Sequence, residues 1–154
     1  MTDNDKSKAG GIAEQVLRKE EQRFHDEVLK CLDTLSGKIE ECRTGAERSG
    51  REKLFTMMVS LRSRVETIAN SISSEIQRKY SLDPVKDGDL ARIGEIDGKI
   101  MKIIEECGLA LSGFSCSSAE RLSEFNENVN AHMREFDRLY GERSKILRLY
   151  RVYG

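Results

Sequence analysis

Apolar residues recur at alternating steps of four and three along most of this chain, and that spacing leaves it few folds. Val28, Leu32, Leu35, Ile39, Cys42 and Ala46 form one series, continued upstream through Leu17 and Phe24. Leu54, Met58, Leu61, Val65, Ile68 and Ile72 form a second, extended by Ile76 and Tyr80. An α-helix turns once in 3.6 residues, so each series lies on one face and needs an apolar partner. A third series holds Leu90, Ile93, Ile100, Ile104, Cys107 and Leu111, with Asp97 filling the gap in it. A fourth runs through Leu122, Phe125, Val129, Met133, Phe136 and Tyr140 toward Ile146, Leu147 and Tyr150. Strands need an alternating segment with a partner, and "RLYRVY" near the end is short and isolated. The expected fold class is therefore all-α, with four amphipathic helices forming an antiparallel helical bundle or an elongated coiled-coil hairpin.

The breaks between series choose between bundle and rod. From Ala46 to Leu54 the step is eight residues where a heptad gives seven, a shift that a continuous coiled coil can absorb. Within "RTGAERSGREK", however, Gly45 and Gly50 each weaken a helix interior by about 1 kcal/mol relative to alanine. Ser49 and Glu52 also have capping-box spacing, which favours a turn there. "SLDPVKDGD" holds the only proline, with aspartates and a glycine, and ends the second helix. "SGFSCSS" is the last loop, and Ser117 with Glu120 repeats the capping-box signature. These signals predict helices over 12–44, 50–80, 89–111 and 118–152, a linker at 81–88, and one helical domain over 12–154. Residues 1–11 have nothing to bury and are expected to be a disordered tail.

Composition agrees with long solvated helices. Charged residues make up 34% of the 154, against roughly 25% in ordinary soluble domains. The formal net charge of −1 provides no overall field to steer the chain onto a polyanion. Cys31, Cys42, Cys107 and Cys116 lack Cys-x-x-Cys spacing, and only two histidines are available to complete a metal set, so buried free thiols are expected. The amino terminus has no signal-peptide pattern, and no apolar run approaches the ~20 residues that span a bilayer. The expected location is intracellular and soluble, in cytoplasm or nucleus.

Site chemistry finds little support. "GEIDGKI" has one residue too few between its glycines for a phosphate loop, and Ile100 stands where Ser or Thr would meet magnesium. "DPVKDGDLARIG" ends on Gly94 where a calcium loop needs a bidentate Glu. His25 and His132 lack the Glu-x-x-His spacing of bundle metal centres. The carboxylates lie at helix-surface spacing among Lys and Arg, where nothing would shift their pKa for acid or base work. The expectation is no enzyme activity, no catalytic residue, no cofactor and no metal.

The biased feature is the tail "RSKILRLYRVYG", which has no acidic residue after Glu142. As a helix it would be apolar over more than one face, leaving surface for a partner. Arg143, Ile146, Leu147, Arg148, Tyr150, Arg151 and Tyr153 are therefore the candidate docking residues, since Arg and Tyr commonly anchor interfaces. A plainer expectation is that the tail covers the end of its own bundle. The function expected is a non-catalytic interaction or scaffold subunit, assembling with itself or with another helical protein through its seams. Specificity would come from seam residues and flanking charges such as Glu40, Glu41, Arg62 and Arg64. The alternative is a helical regulator that binds nucleic acid or an anionic membrane surface through residues 143–153.

Overall fold

The computed structural model describes residues 13–44, 51–114 and 122–151. Four helices account for most of them: α1 (Ala13–Thr44), α2 (Arg51–Gln77), α3 (Asp87–Gly113) and α4 (Leu122–Leu147). α1 and α2 run antiparallel. Near one end Arg62 Nε donates to Ser36 Oγ at 3.1 Å, and near the other the Arg18 guanidinium donates to the carbonyls of Ile76 and Arg78. α3 and α4 are likewise antiparallel, with Arg92 meeting Glu142 at 3.3 Å at one end and His132 facing Glu106 toward the other. A single rod from Ile12 to Tyr80 is thereby excluded.

The two hairpins stand side by side with α1 parallel to α3, the third extensive helix contact besides those within the hairpins. Cys31 lies against the Ile104 carbonyl, and the Lys38 ammonium donates to the Phe114 carbonyl at 2.5 Å. The main core takes Phe24, Val28 and Leu35 from α1, Leu54 to Ile72 from α2, Ile96 to Leu111 from α3 and Phe125 to Leu139 from α4. Stacked Phe114 and Phe125, with ring centroids 4.1 Å apart, lie toward the α3–α4 turn.

Rotation of α1 differs slightly from expectation. Cys31 is buried while Leu32 and Ile39 are only partly so, because α1 packs against α2 on one flank and α3 on the other and so spreads its apolar stripe. Gly94 and Gly98 do not mark a close helix crossing. A Cβ at either would meet nothing within 4 Å, and both border an open groove. The expected tail at 1–11, the turn sequence at 45–50 and the caps at Ser49 and Ser117 lie outside the described residues.

The largest departures are at the end where α2 and α4 stop. α2 ends at Gln77, not Tyr80, and α4 ends at Leu147, not 152. After Leu147 the chain tightens, Leu149 N donating to Ile146 O and Tyr150 N to Leu147 O. Arg151 then forms an antiparallel bridge with Tyr80, and Ser81 N donates to Tyr150 O at 2.6 Å. The "RLYRVY" segment, set aside as a strand, thus supplies a β-bridge. Its reason is packing: Leu17, Tyr80, Val85, Ile93, Leu147 and Tyr150 form a second apolar cluster under this crossing. Tyr150 also serves α3. Its hydroxyl accepts from the N–H of Lys86, the N-cap residue, and donates to Asp89 in the first turn, the work expected of a capping side chain.

Leu35 is fully buried in the main core. Leu35→Ala should lower unfolding free energy in urea by about 2–5 kcal/mol. Leu29→Ala, at a position 41% exposed, should change it by less than about 0.5 kcal/mol.

Candidate functional site

Three helices place a charged residue where their apolar stripes call for a hydrophobic one. Glu21 lies between Leu17 and Phe24 on α1, Asp97 between Ile93 and Ile100 on α3, and Arg143 between Leu139 and Leu147 on α4. The three meet. Arg143 is wholly enclosed, and its Nε donates to Asp97 Oδ1 at 2.6 Å while Nη1 donates to Glu21 Oε1 at 3.3 Å. Nη2 reaches the Leu17 carbonyl at 3.4 Å, and the guanidinium carbon lies 5.3 Å from the Phe24 ring centroid, within cation–π range.

The crossing described above closes over this group. The Tyr80 hydroxyl donates to the same Glu21 oxygen that Arg143 contacts. Next to it, Arg151 Nη2 pairs with Glu75 Oε1 at 2.5 Å, and Arg78 reaches that oxygen at 3.3 Å. Glu21 Oε2, Glu75 Oε2 and the Tyr140 hydroxyl are buried without a hydrogen-bond partner. Burial pushes the Glu21 and Asp97 carboxyls above their ordinary range, and the Arg143 charge only partly opposes it. At Arg143 burial works against the charge, but Asp97 and Glu21 outweigh it and hold the guanidinium ionised. Burial likewise raises the Tyr80 and Tyr140 hydroxyls.

Such a cluster can fix which helices meet and in what register. A buried ion pair adds little stability over apolar packing, yet removing one partner strands the other in a low-dielectric interior. Asp97 alone among the three borders an outside space, a groove of about 660 Å³ between α1 and α3 walled by Gln15, Lys19, Arg23 and Lys102.

The seven tail residues part company. Arg143, Leu147 and Tyr150 are buried within the chain, Ile146 is partly buried against both apolar clusters, and Arg151 is engaged with Glu75. Arg148 is exposed, and Tyr153 lies outside the described residues. Sequence reasoning missed Glu21, Glu75 and Tyr80 as members of the cluster. The available signal was the charge at a seam position, noticed only at Asp97.

Elsewhere, Cys31 and Cys107 are buried free thiols, pushed by burial up to about 12 and about 11, which suppresses their nucleophilic thiolate form. His132 is turned to the Asn128 carbonyl and Glu106, and among the described residues no group of three His, Cys, Asp or Glu side chains is arranged to hold a metal. No described helix is long and apolar enough to cross a membrane. No family model matches the chain, and neither a curated protein nor a solved structure matches it.

Arg143→Met should cost about 3–5 kcal/mol in urea unfolding, because it leaves Glu21 and Asp97 buried without their cation. Arg138→Met, which removes exposed ion pairs one turn away, should leave the urea midpoint nearly unchanged.

Proposed function

We propose that the protein is a non-catalytic helical interaction subunit that docks through the end of the bundle where residues 78–86 meet 148–151. One observation carries this reading. Leu82 is 76% exposed and Leu149 is 68% exposed, on the two segments that the Tyr80–Arg151 bridge joins. Arg148 is exposed next to Leu149. Covering such side chains would return roughly 25 cal/mol for each Å² of apolar surface removed from water. An arginine beside them adds a donor of the kind that anchors interfaces.

The same packing weighs against the phosphate reading of the tail. Arg143 faces Asp97 and Glu21, and Arg151 faces Glu75, so two of the four basic residues already have carboxylate partners. Affinity for nucleic acid or an anionic membrane grows with the number of phosphates neutralised, and Lys145 and Arg148 offer a small set. The heptad seams bury against one another inside the chain, which moves the proposed interface from the seams to the end of the bundle.

Capture from extracts of the protein's own cells, followed by cross-linking and mass identification, tests this. Leu82→Ser with Leu149→Ser should reduce recovery of the main partner at least about tenfold, the loss of ~1.4 kcal/mol of binding. Leu29→Ser with Val59→Ser, exposed on α1 and α2, should leave recovery intact at equal helicity. Equal recovery with both pairs would remove the reading.

A further inference from the structure

We propose that the Arg143 cluster holds one extra proton, on Glu21 or Asp97, and that losing it at higher pH loosens the crossing of residues 78–86 with 148–151. One guanidinium, Arg143, faces two carboxylates, Glu21 and Asp97, and all three are at least nine-tenths buried. With both carboxylates ionised, the enclosed group would carry a net negative charge that no further buried cation among the described residues meets, since Lys19, Arg23 and Lys102 in the groove beside Asp97 are exposed to solvent. Arg151 and Arg78 are turned to Glu75 on α2, and Arg18 on α1 is turned to the carbonyls of Ile76 and Arg78. Beside Asp97, Glu20 and Arg23 form their own pair. From α4, Tyr140 faces the cluster with a neutral hydroxyl, and Tyr80 from the link has already given its proton to a bond with Glu21 Oε1. Glu21 Oε2 has no partner at all. An isolated buried carboxylate is expensive, and protein interiors neutralise such groups by protonation. A proton on one of the two carboxyls brings the group to neutrality. The directions in which burial moves Glu21 and Asp97, both upward, agree with this count.

Release of that proton acts on the crossing first. α1, α3 and α4 are held around the cluster by the main apolar core, whereas residues 78–86 and 148–151 are joined by one β-bridge, the bonds from Ser81 N and Lys86 N to Tyr150, and the small cluster around Tyr80 and Tyr150. Lifting the crossing is therefore the least costly way to bring water to an ionised Glu21. The sign follows from linkage. A carboxyl whose folded pKa lies above its unfolded value contributes stability that is complete below the unfolded pKa and is lost as pH rises through the folded one. One proton kept by the closed state and released by the opened one corresponds to about a tenfold rise in the opening constant per pH unit, and the rise stops once the closed state also loses it.

Amide hydrogen exchange of the full chain, corrected for intrinsic exchange chemistry, reads this directly at Ser81, whose N–H is bonded to the Tyr150 carbonyl across the crossing. Its protection should fall by up to about tenfold per pH unit as pH rises above the ordinary carboxylate range, while that of Leu61 in the main core changes little. Glu21→Gln, which keeps the shape and supplies a permanent neutral donor, should flatten the dependence, and Asp97→Asn should weaken it. The infrared carbonyl stretch of a neutral carboxylic acid should persist in the wild type while Ser81 protection falls with pH and disappear where that fall levels off. Protection independent of pH in the wild type, or no neutral carboxyl band, overturns the proposal even if neither variant folds. An unchanged slope in both variants does so as well.

Discussion

A single guanidinium ties this bundle together at one end. Arg143 extends from α4, reaches Asp97 on α3 and Glu21 and Leu17 on α1, and lies against the Phe24 ring. Other positions on these stripes accept any apolar side chain of suitable size, so they set the fold's class without setting its register. A buried cation with two anions accepts only arrangements that bring all three within hydrogen-bond range. Sliding α4 along α3 by one turn, about 5.4 Å, would strand Arg143 among leucines and aromatic rings. The cluster therefore selects a register that hydrophobic burial alone leaves loosely determined.

The crossing of the two terminal segments follows from the same requirement. Glu21 needs a donor beyond Arg143, and Tyr80 supplies it only if α2 stops short and lets the chain bend over the end of α1. Arg151 then covers Glu75, and Tyr150 reaches across to complete the start of α3. The Arg151 and Tyr150 bonds use residues that an uninterrupted α4 would carry elsewhere. Packing thus outweighs the helix propensity of the "SKILRLY" run, as a few tenths of a kcal/mol per residue cannot compete with satisfying several buried polar groups.

Much of the architecture was legible before the coordinates. The four and three spacing located every helix, and the proline, glycine and aspartate run located the link between hairpins, because periodic burial is written locally in the chain. What lay hidden depended on partners distant in sequence. Glu21 resembles any surface glutamate until Tyr80 and Arg143 are placed against it. Arg143 stands just after the last acidic residue of a basic tail, where it reads like its docking candidates until Glu21 and Asp97 are placed against it. Asp97 was the legible exception, since its place in the third stripe was the one gap in an apolar series. A charge at such a position carries more information than a charge on a solvated face, and three of them on three helices imply mutual satisfaction. The parallel pairing of α1 with α3 was likewise invisible, because spacing fixes which face is buried and says nothing of which helix covers it.

The most direct test is nuclear magnetic resonance of arginine side chains in the folded protein, with the Arg143 signal identified by its absence from Arg143→Lys. The account requires a separate Nε–Hε resonance for Arg143, exchanging with water far more slowly than that of exposed Arg138 and showing contacts to Asp97 and the Phe24 ring. An Arg143 resonance that exchanges as fast as Arg138 and lacks those contacts would mean that the guanidinium is in solvent, and the register would then have to be fixed in another way.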